Sequence, residues 1–387
     1  GETGNQSIPE EAAYTVYRPD VEYANYDLGG QNTSVHSGYI KSRNGNPNLL
    51  WETAKQTNVG LDVGLLNNRV QVNADYFIKT TEGMLTDPPM MSVEGEGLAP
   101  WINAGEMENK GLEASLQYRS PRNQEFNYTV GLNFSRIRNK VISLAEEQNF
   151  YDLGYPRIEP GHPVYAFYGY VEQGLFESVE EIEDHAVQEG IQPNEQSLGR
   201  IKYKDLNGDN VINEQDRKYI GNPHPDVSFG LNFSAQYRNF DFSMFLESEI
   251  GRDIYNVHKQ MSDFTYWNFN YGQRTLDAWT PENTDTDIPA VTTANVNNEL
   301  RSSTYFVDDG SYLKIKSLSL GYTLPEQVTS RLNMKQVRIF IQAQNLYTFD
   351  NYPGMDVEIG PLGGTLGVDN QLYPHSRNIN LGVNVSF

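Results

Sequence analysis

The side chains best placed to do chemistry are the oxygen donors of one twelve-residue run, Asp205-Leu206-Asn207-Gly208-Asp209-Asn210-Val211-Ile212-Asn213-Glu214-Gln215-Asp216. Asp205, Asn207, Asp209, Asn213 and Asp216 fall at loop positions 1, 3, 5, 9 and 12, and the Val211 carbonyl falls at position 7. A hard cation such as Ca²⁺ takes about six to eight oxygens, and this spacing supplies them from one tight turn of chain. Two residues depart from the ideal loop. Asn210 stands where Gly is usual, although Asn also enters the left-handed backbone region, and Asp216 replaces a longer Glu. The run is expected to hold Ca²⁺, or Mg²⁺, in a structural role that pins a long loop. The alternative is an Asx-turn loop held by its own hydrogen bonds. No comparable spacing points to catalysis. The six histidines (His36, His162, His185, His224, His258, His375) are scattered, and H-E-x-x-H, G-x-S-x-G and phosphate-loop patterns are absent. Carboxylates abound, but nothing singles out a catalytic pair. The chain reads as a non-enzyme.

The elements that carry this loop are strands. At the C-terminus Ile379, Leu381, Val383, Val385 and Phe387 alternate with Asn378, Asn380, Gly382, Asn384 and Ser386, a period of two with one apolar and one polar face. The same alternation places Val59, Leu61, Val63 and Leu65 against Val70, Val72, Ala74 and Tyr76, across a turn at Asn67-Asn68 where Asn tolerates positive φ. A second hairpin sets Leu112, Ala114, Leu116 and Tyr118 against Tyr128, Val130, Leu132 and Phe134. A third sets 227–237 against 240–246 across Arg238-Asn239. The phase slips between Ile315 and Leu318, which predicts a bulge. Ser178 and Glu181 form a capping-box pair at the start of a short helix.

Short connections alternate with long polar ones at 84–108, 143–200 and 251–310. Short turns on one rim and long loops on the other are the pattern of an outer-membrane barrel. The polar faces carry Asp62, Asn73, Asp75, Asn133, Asn232 and Asn384, which suit a wet lumen and not the dry core of paired β-sandwiches. Roughly ten strands or a few more, with loops this large, fit part of a barrel of ~22 strands. Composition agrees. Only 38% of residues are hydrophobic, and no run reaches the ~20 apolar residues of a spanning helix. A net charge of −22 argues against nucleic acid. With no Cys, disulfide and thiolate chemistry are excluded. Gly1-Glu2-Thr3-Gly4 opens without a basic or apolar leader, so a leader is expected to have been removed, or the chain to be a piece of a longer protein.

Several runs carry a family resemblance. Ile102-Asn103-Ala104-Gly105-Glu106-Met107-Glu108-Asn109-Lys110-Gly111-Leu112-Glu113 resembles a barrel motif of TonB-dependent outer-membrane receptors. Asp308-Asp309-Gly310-Ser311-Tyr312-Leu313-Lys314-Ile315-Lys316-Ser317-Leu318-Ser319-Leu320-Gly321-Tyr322-Thr323-Leu324-Pro325 resembles a segment of SusC/RagA-type transporters of Bacteroidetes. Gln344-Asn345-Leu346-Tyr347-Thr348, Trp279-Thr280-Pro281-Glu282-Asn283, Gly221-Asn222-Pro223 and Trp51-Glu52 are similar to the same family. The fold is therefore expected to be all-β. Residues 1–387 would form the C-terminal part of a transmembrane antiparallel β-barrel with long extracellular loops, the plug domain, TonB box and N-terminal strands not being among them. The partner strand of the last one would also lie outside the chain.

The resemblance implies TonB-dependent import of oligosaccharides, or of oligopeptides, across an outer membrane. It implies a SusD-like lipoprotein lid, TonB–ExbB–ExbD acting through a plug, contact with outer-membrane lipid and lipopolysaccharide, and pairing of such complexes into dimers. A structural or adhesive barrel is the remaining alternative. For cargo, sugar C–H faces stack on aromatic rings and hydroxyls pair with polar groups, which singles out Tyr266, Trp267, Phe269, Tyr271 and Arg274 in the longest loop and Trp101 in another. The competing reading is that these residues pack the loops or dock the lid.

Overall fold

The computed structural model describes residues 1–3, 8–26, 36–86, 97–121, 124–145, 148–264, 270–292, 297–360 and 365–387, with backbone alone at 3, 21–26, 36–37 and 332. Its main feature is one ten-stranded sheet: β1 (Glu2–Thr3), β2 (Glu52–Leu65), β3 (Val70–Glu82), β4 (Glu106–Arg119), β5 (Phe126–Ser143), β6 (Val227–Tyr237), β7 (Phe240–Ile250), β8 (Tyr312–Thr323), β9 (Gln336–Asp350) and β10 (Asn378–Ser386). Spatial order equals chain order and every neighbour pair is antiparallel, so the sheet is an up-and-down meander.

In such a meander the connections fall alternately on the two rims. The links 66–69, 120–125, 238–239 and 324–335 lie on one rim, and 83–105, 144–226, 251–311 and 351–377 lie on the other. The short turns depend on backbone that few residues adopt. Leu66, Asn67 and Asn68 take φ of 54°, 55° and 61°, and Arg238 takes 50°, the left-handed geometry whose twist matches a right-twisted hairpin.

Register sorts the side chains into rows. Facing outward, Val63, Val72, Leu116, Leu132, Leu231, Leu246, Ile315 and Tyr347 lie side by side across eight strands. Nearer the short-turn rim Phe126, Tyr237, Phe240 and Tyr322 form an aromatic row, with ring centroids 6.4 Å apart for Phe126–Tyr237 and 4.7 Å for Phe240–Tyr322. This outer face is exposed, Leu381 by 79% and Leu61 by 61%. An apolar belt edged by aromatic rings is the surface a bilayer covers. Among the described residues no helix is long and apolar enough to cross a membrane. The strands form the membrane wall.

The predicted bulge is present. Phe245 pairs with Ser317 and Leu246 with Ile315, so Lys316 has no partner on β7, and β9 shifts register at the same level.

The packed core sits in the long connections. Phe167, Ile201, Tyr203, Tyr255 and Phe306 are fully buried together, with Trp279 at the margin. Small sheets knit the connections to one another. Ala166–Tyr170 pairs with Arg217–Gly221, and Asp253–Asn256 pairs antiparallel with Val307–Asp309 and parallel with Val368–Asp369. A buried clasp joins two connections: Arg200 Nη1 donates to Glu299 Oε2 at 2.8 Å, and the Ile201 amide donates to Glu299 Oε1 at 2.9 Å. Beside it Gln188 donates to Asn297 Oδ1 (2.6 Å) and to the Ile201 carbonyl (2.7 Å). Burial of so many aromatic and aliphatic groups turns segments that read as polar loops into a folded cap. The helix at Val179–Asp184 begins as predicted, with Ser178 Oγ accepting from the Glu181 amide at 3.1 Å; the Glu181 carboxylate accepts from Glu177 N, one residue before the cap.

Candidate functional site

The inner face of the wall is the candidate site, built from strand alternation. Because successive side chains point to opposite faces, the residues between the apolar positions form polar rows. Of the three rows that cross the middle of the wall, the one toward the long connections runs Asp75, Glu113, Ser135, Ser228, Glu249 and Tyr312. The next runs Asp62, Asn73, Ser115, Asn133, Gly230, Glu247 and Lys314. Below it come Gln71, Gln117, Gly131, Asn232, Phe245 and Ser317. Two adjoining grooves of about 560 and 580 Å³ lie on this face and share Asn73, Ser115, Asn133 and Phe245. Asn73 accepts from the Ser115 hydroxyl (3.1 Å) and donates to Asp62 (2.9 Å). The acids concentrate under the cap, and amides and hydroxyls take over toward the short-turn rim. Among the described residues neither Asp75 nor Glu113 has a cationic partner. The surface offers closely spaced hydrogen-bond acceptors and donors to a polar solute.

The residues singled out as cargo contacts are dispersed. Trp101 lies on the 83–105 connection, with the Arg43 guanidinium 4.8 Å above its ring and its carbonyl accepting from Asn46 at 2.9 Å. Tyr271 and Arg274 share a short stretch of the 251–311 connection. Tyr271 is partly exposed, whereas Arg274 turns to the buried Asp263 carboxylate at 3.4 Å. Asp263 in turn accepts from the Tyr305 hydroxyl at 2.7 Å. Tyr266, Trp267 and Phe269 lie outside the described residues.

The 205–216 run folds as a compact turn. Asp205 accepts from the amides of Gly208 (2.7 Å) and Asn210 (2.9 Å), Asp209 from Val211 (2.9 Å), and the buried Asp216 from Leu206 and Asn213 (both 2.8 Å). Asn210 takes the left-handed φ of 62° that its position demands. Asn207 Nδ2 donates to Asp209 and Gln215, and Asn213 Nδ2 donates to the Val211 carbonyl at 3.2 Å. Desolvation pushes the Asp205 carboxyl up, but the Gly208 and Asn210 amides and contact with Asp216 outweigh it and leave the pKa below its ordinary value. The self-bonded turn is therefore formed by the protein alone. Its carboxylates retain lone pairs beyond those given to amides, so the donor set is compatible with a hard cation.

A further cluster had no signal in the spacing. Asp356, Glu358 and His375 bring ligand atoms within 4.8 Å of one another, yet both Glu358 oxygens are taken, one by the Lys314 ammonium and one by that of Lys316. A divalent cation would have to displace two ammoniums, so the cluster is an ion-pair lattice. Burial pushes the Glu358 carboxyl up, but the two lysines more than offset it and hold it below the ordinary range. The separation of Lys314 and Glu358 along the chain hid this contact.

An antiparallel wall, polar on one face, apolar on the other and capped by folded loops on one rim, is the architecture of an outer-membrane β-barrel. The chain belongs to the TonB-dependent receptor-like β-barrel family, whose model matches residues 12–346. It is 33% identical over 405 aligned residues to TonB-dependent receptor P3 of Formosa agariphila, covering all of this chain and 38% of that protein. It is 26% identical to TonB-dependent receptor SusC of Bacteroides thetaiotaomicron, covering 100% of this chain and 37% of that one. In structure it resembles the RagAB peptide transporter with a TM-score of 0.80 at 24% identity, covering 100% of this chain and 40% of that one. The chain thus spans about two-fifths of the length of these relatives, matching the expected partial barrel.

Proposed function

We propose that this chain forms wall and loop cap of an importer that carries oligosaccharides across the outer membrane of a Bacteroidetes-type bacterium. In this reading a SusD-like lipoprotein closes over the long connections, and TonB–ExbB–ExbD supplies energy through a plug in the lumen. The observation that carries the reading is the luminal face: successive rows of amide, hydroxyl and carboxylate groups give a hydroxyl-rich chain many weak, closely spaced partners along its path. Such a surface holds cargo without trapping it, as import requires. The same groups also suit peptide amides and amino groups, and the fold likeness to a peptide transporter makes oligopeptide import the second reading. The test is to purify the full-length transporter from outer membranes and identify released cargo by mass spectrometry. Glycan fragments are expected; peptides alone would replace the first reading by the second.

The 205–216 turn is proposed to take Ca²⁺ through Asp205, Asn207, Asp209, the Val211 carbonyl, Asn213 and Asp216, stiffening the cap. Chelator should then speed proteolysis within 205–216 and added Ca²⁺ restore protection. Cleavage rates unchanged by either treatment would leave the turn to its own hydrogen bonds.

A further inference from the structure

Lys316 stands between two parts of the molecule. The bulge frees it from pairing with β7, and its ammonium lies 3.1 Å from Glu247 Oε2 while also bonding Glu358. Glu247 lines the larger luminal concentration of acids, in the groove with Asp75, Glu113 and Glu249. Glu358 belongs to the 351–377 connection, where its neighbours Val357 and Ile359 pack with Ile254, Tyr312 and Tyr352. Lys314, nearly fully buried, holds the other Glu358 oxygen, and Asp356 accepts from the His375 amide at 2.8 Å. Glu249 is engaged separately with Arg252 at 2.5 Å. One partly exposed ammonium therefore serves a carboxylate in the groove and a carboxylate on the connection.

We propose that Lys316 couples occupancy of the luminal groove to the seating of the stretch 351–360. A cargo group that engages Glu247, whether cationic or a hydrogen-bond donor, removes a competitor for Lys316. The ammonium then serves Glu358 more fully, and the stretch is held more tightly. Coupling of this kind is reciprocal: a firmly seated stretch leaves Glu247 freer to meet cargo. This rests on the reading of the groove as cargo path, but its test needs no cargo.

The test is amide hydrogen exchange, read by mass spectrometry on peptides covering 353–360 of the full-length transporter in lipid nanodiscs. The Glu358 and Ile359 amides are bonded to Asp356 Oδ1 and the Val357 carbonyl (both 3.0 Å) and report the seating. Glu247→Gln mimics an engaged groove and should slow their exchange roughly two- to fivefold, the range set by partly exposed ion pairs. Glu247→Asp, which shortens the side chain and withdraws the carboxylate, should slow it less. Lys316→Gln should speed exchange, and Glu247→Gln should have no further effect in that background. Faster or unchanged exchange in both Glu247 variants would overturn the proposal. So would slowing of equal size with and without Lys316. Failure of import in a transport assay would leave these exchange results standing, so the two readings fail separately.

Discussion

The outward and inward faces of the wall make opposite demands on a charge, and adjacent residues of β5 test them. Leu132 faces outward between Leu116 and Leu231, and Asn133 faces the groove between Ser115 and Gly230. Six residues of β6 separate Leu231 from Tyr237 in the aromatic row, roughly 20 Å of strand at about 3.3 Å per residue. At a tilt of about 40° that is roughly 15 Å of height, close to the middle of an apolar band about 25 Å tall. Arginine at the midplane of such a band costs about 2–4 kcal/mol, whereas in a wet lumen it keeps its hydration. Leu132→Arg should therefore lower the stability of the folded barrel by about that amount, and Asn133→Arg by less than about 1 kcal/mol. The assay is denaturant unfolding of the full-length protein in lipid vesicles, followed by gel mobility and tryptophan fluorescence. Equal losses for both variants, or a neutral Leu132→Arg, would refute the assignment of faces and the membrane-wall reading with it.

Removing one partner of the buried clasp should be costly in the cap. Glu299→Ala strands Arg200 in the interior, a loss of about 3–5 kcal/mol, seen as proteolysis of 195–215 and 295–303 with the wall strands still protected. Acid should act on the 205–216 turn through Asp205. Its folded pKa is depressed, so it stabilises the turn at pH above the ordinary value of 3.8, and this contribution fades as pH falls through the lower folded value. Hydrogen exchange of 206–211 should rise over that window and should no longer do so in Asp205→Asn. A fourth expectation concerns the bulge: deleting Lys316 restores continuous register of β8 with β7, removes the ammonium held by Glu358 and should free the 351–360 stretch, measurable as faster proteolysis there.

Much of the architecture was legible in the residues themselves. A period of two is a local property of the backbone, so the hairpins, the Asn67-Asn68 turn and the bulge at 316 could be read from alternation and its one slip in phase. Ser178 declared a helix start because a cap acts within three residues. The cap was not legible. Phe167, Tyr203, Tyr255 and Phe306 are separated by long polar stretches, and nothing local distinguishes a loop that packs with another from one that lies in solvent. The acidic concentration under the cap was likewise hidden, since Asp75, Glu113 and Glu249 become neighbours only through register across five strands.

The sequence alone settled which face of each strand is oily and where the chain turns, because both follow from interactions spanning a few residues. Only the tertiary structure decided which rows those faces form, that the long connections fold into a core, and that Lys316 is shared between the lumen and a distant connection. Those outcomes depend on contacts between segments far apart in the chain, where pairing partners are selected by the burial and register of the whole sheet.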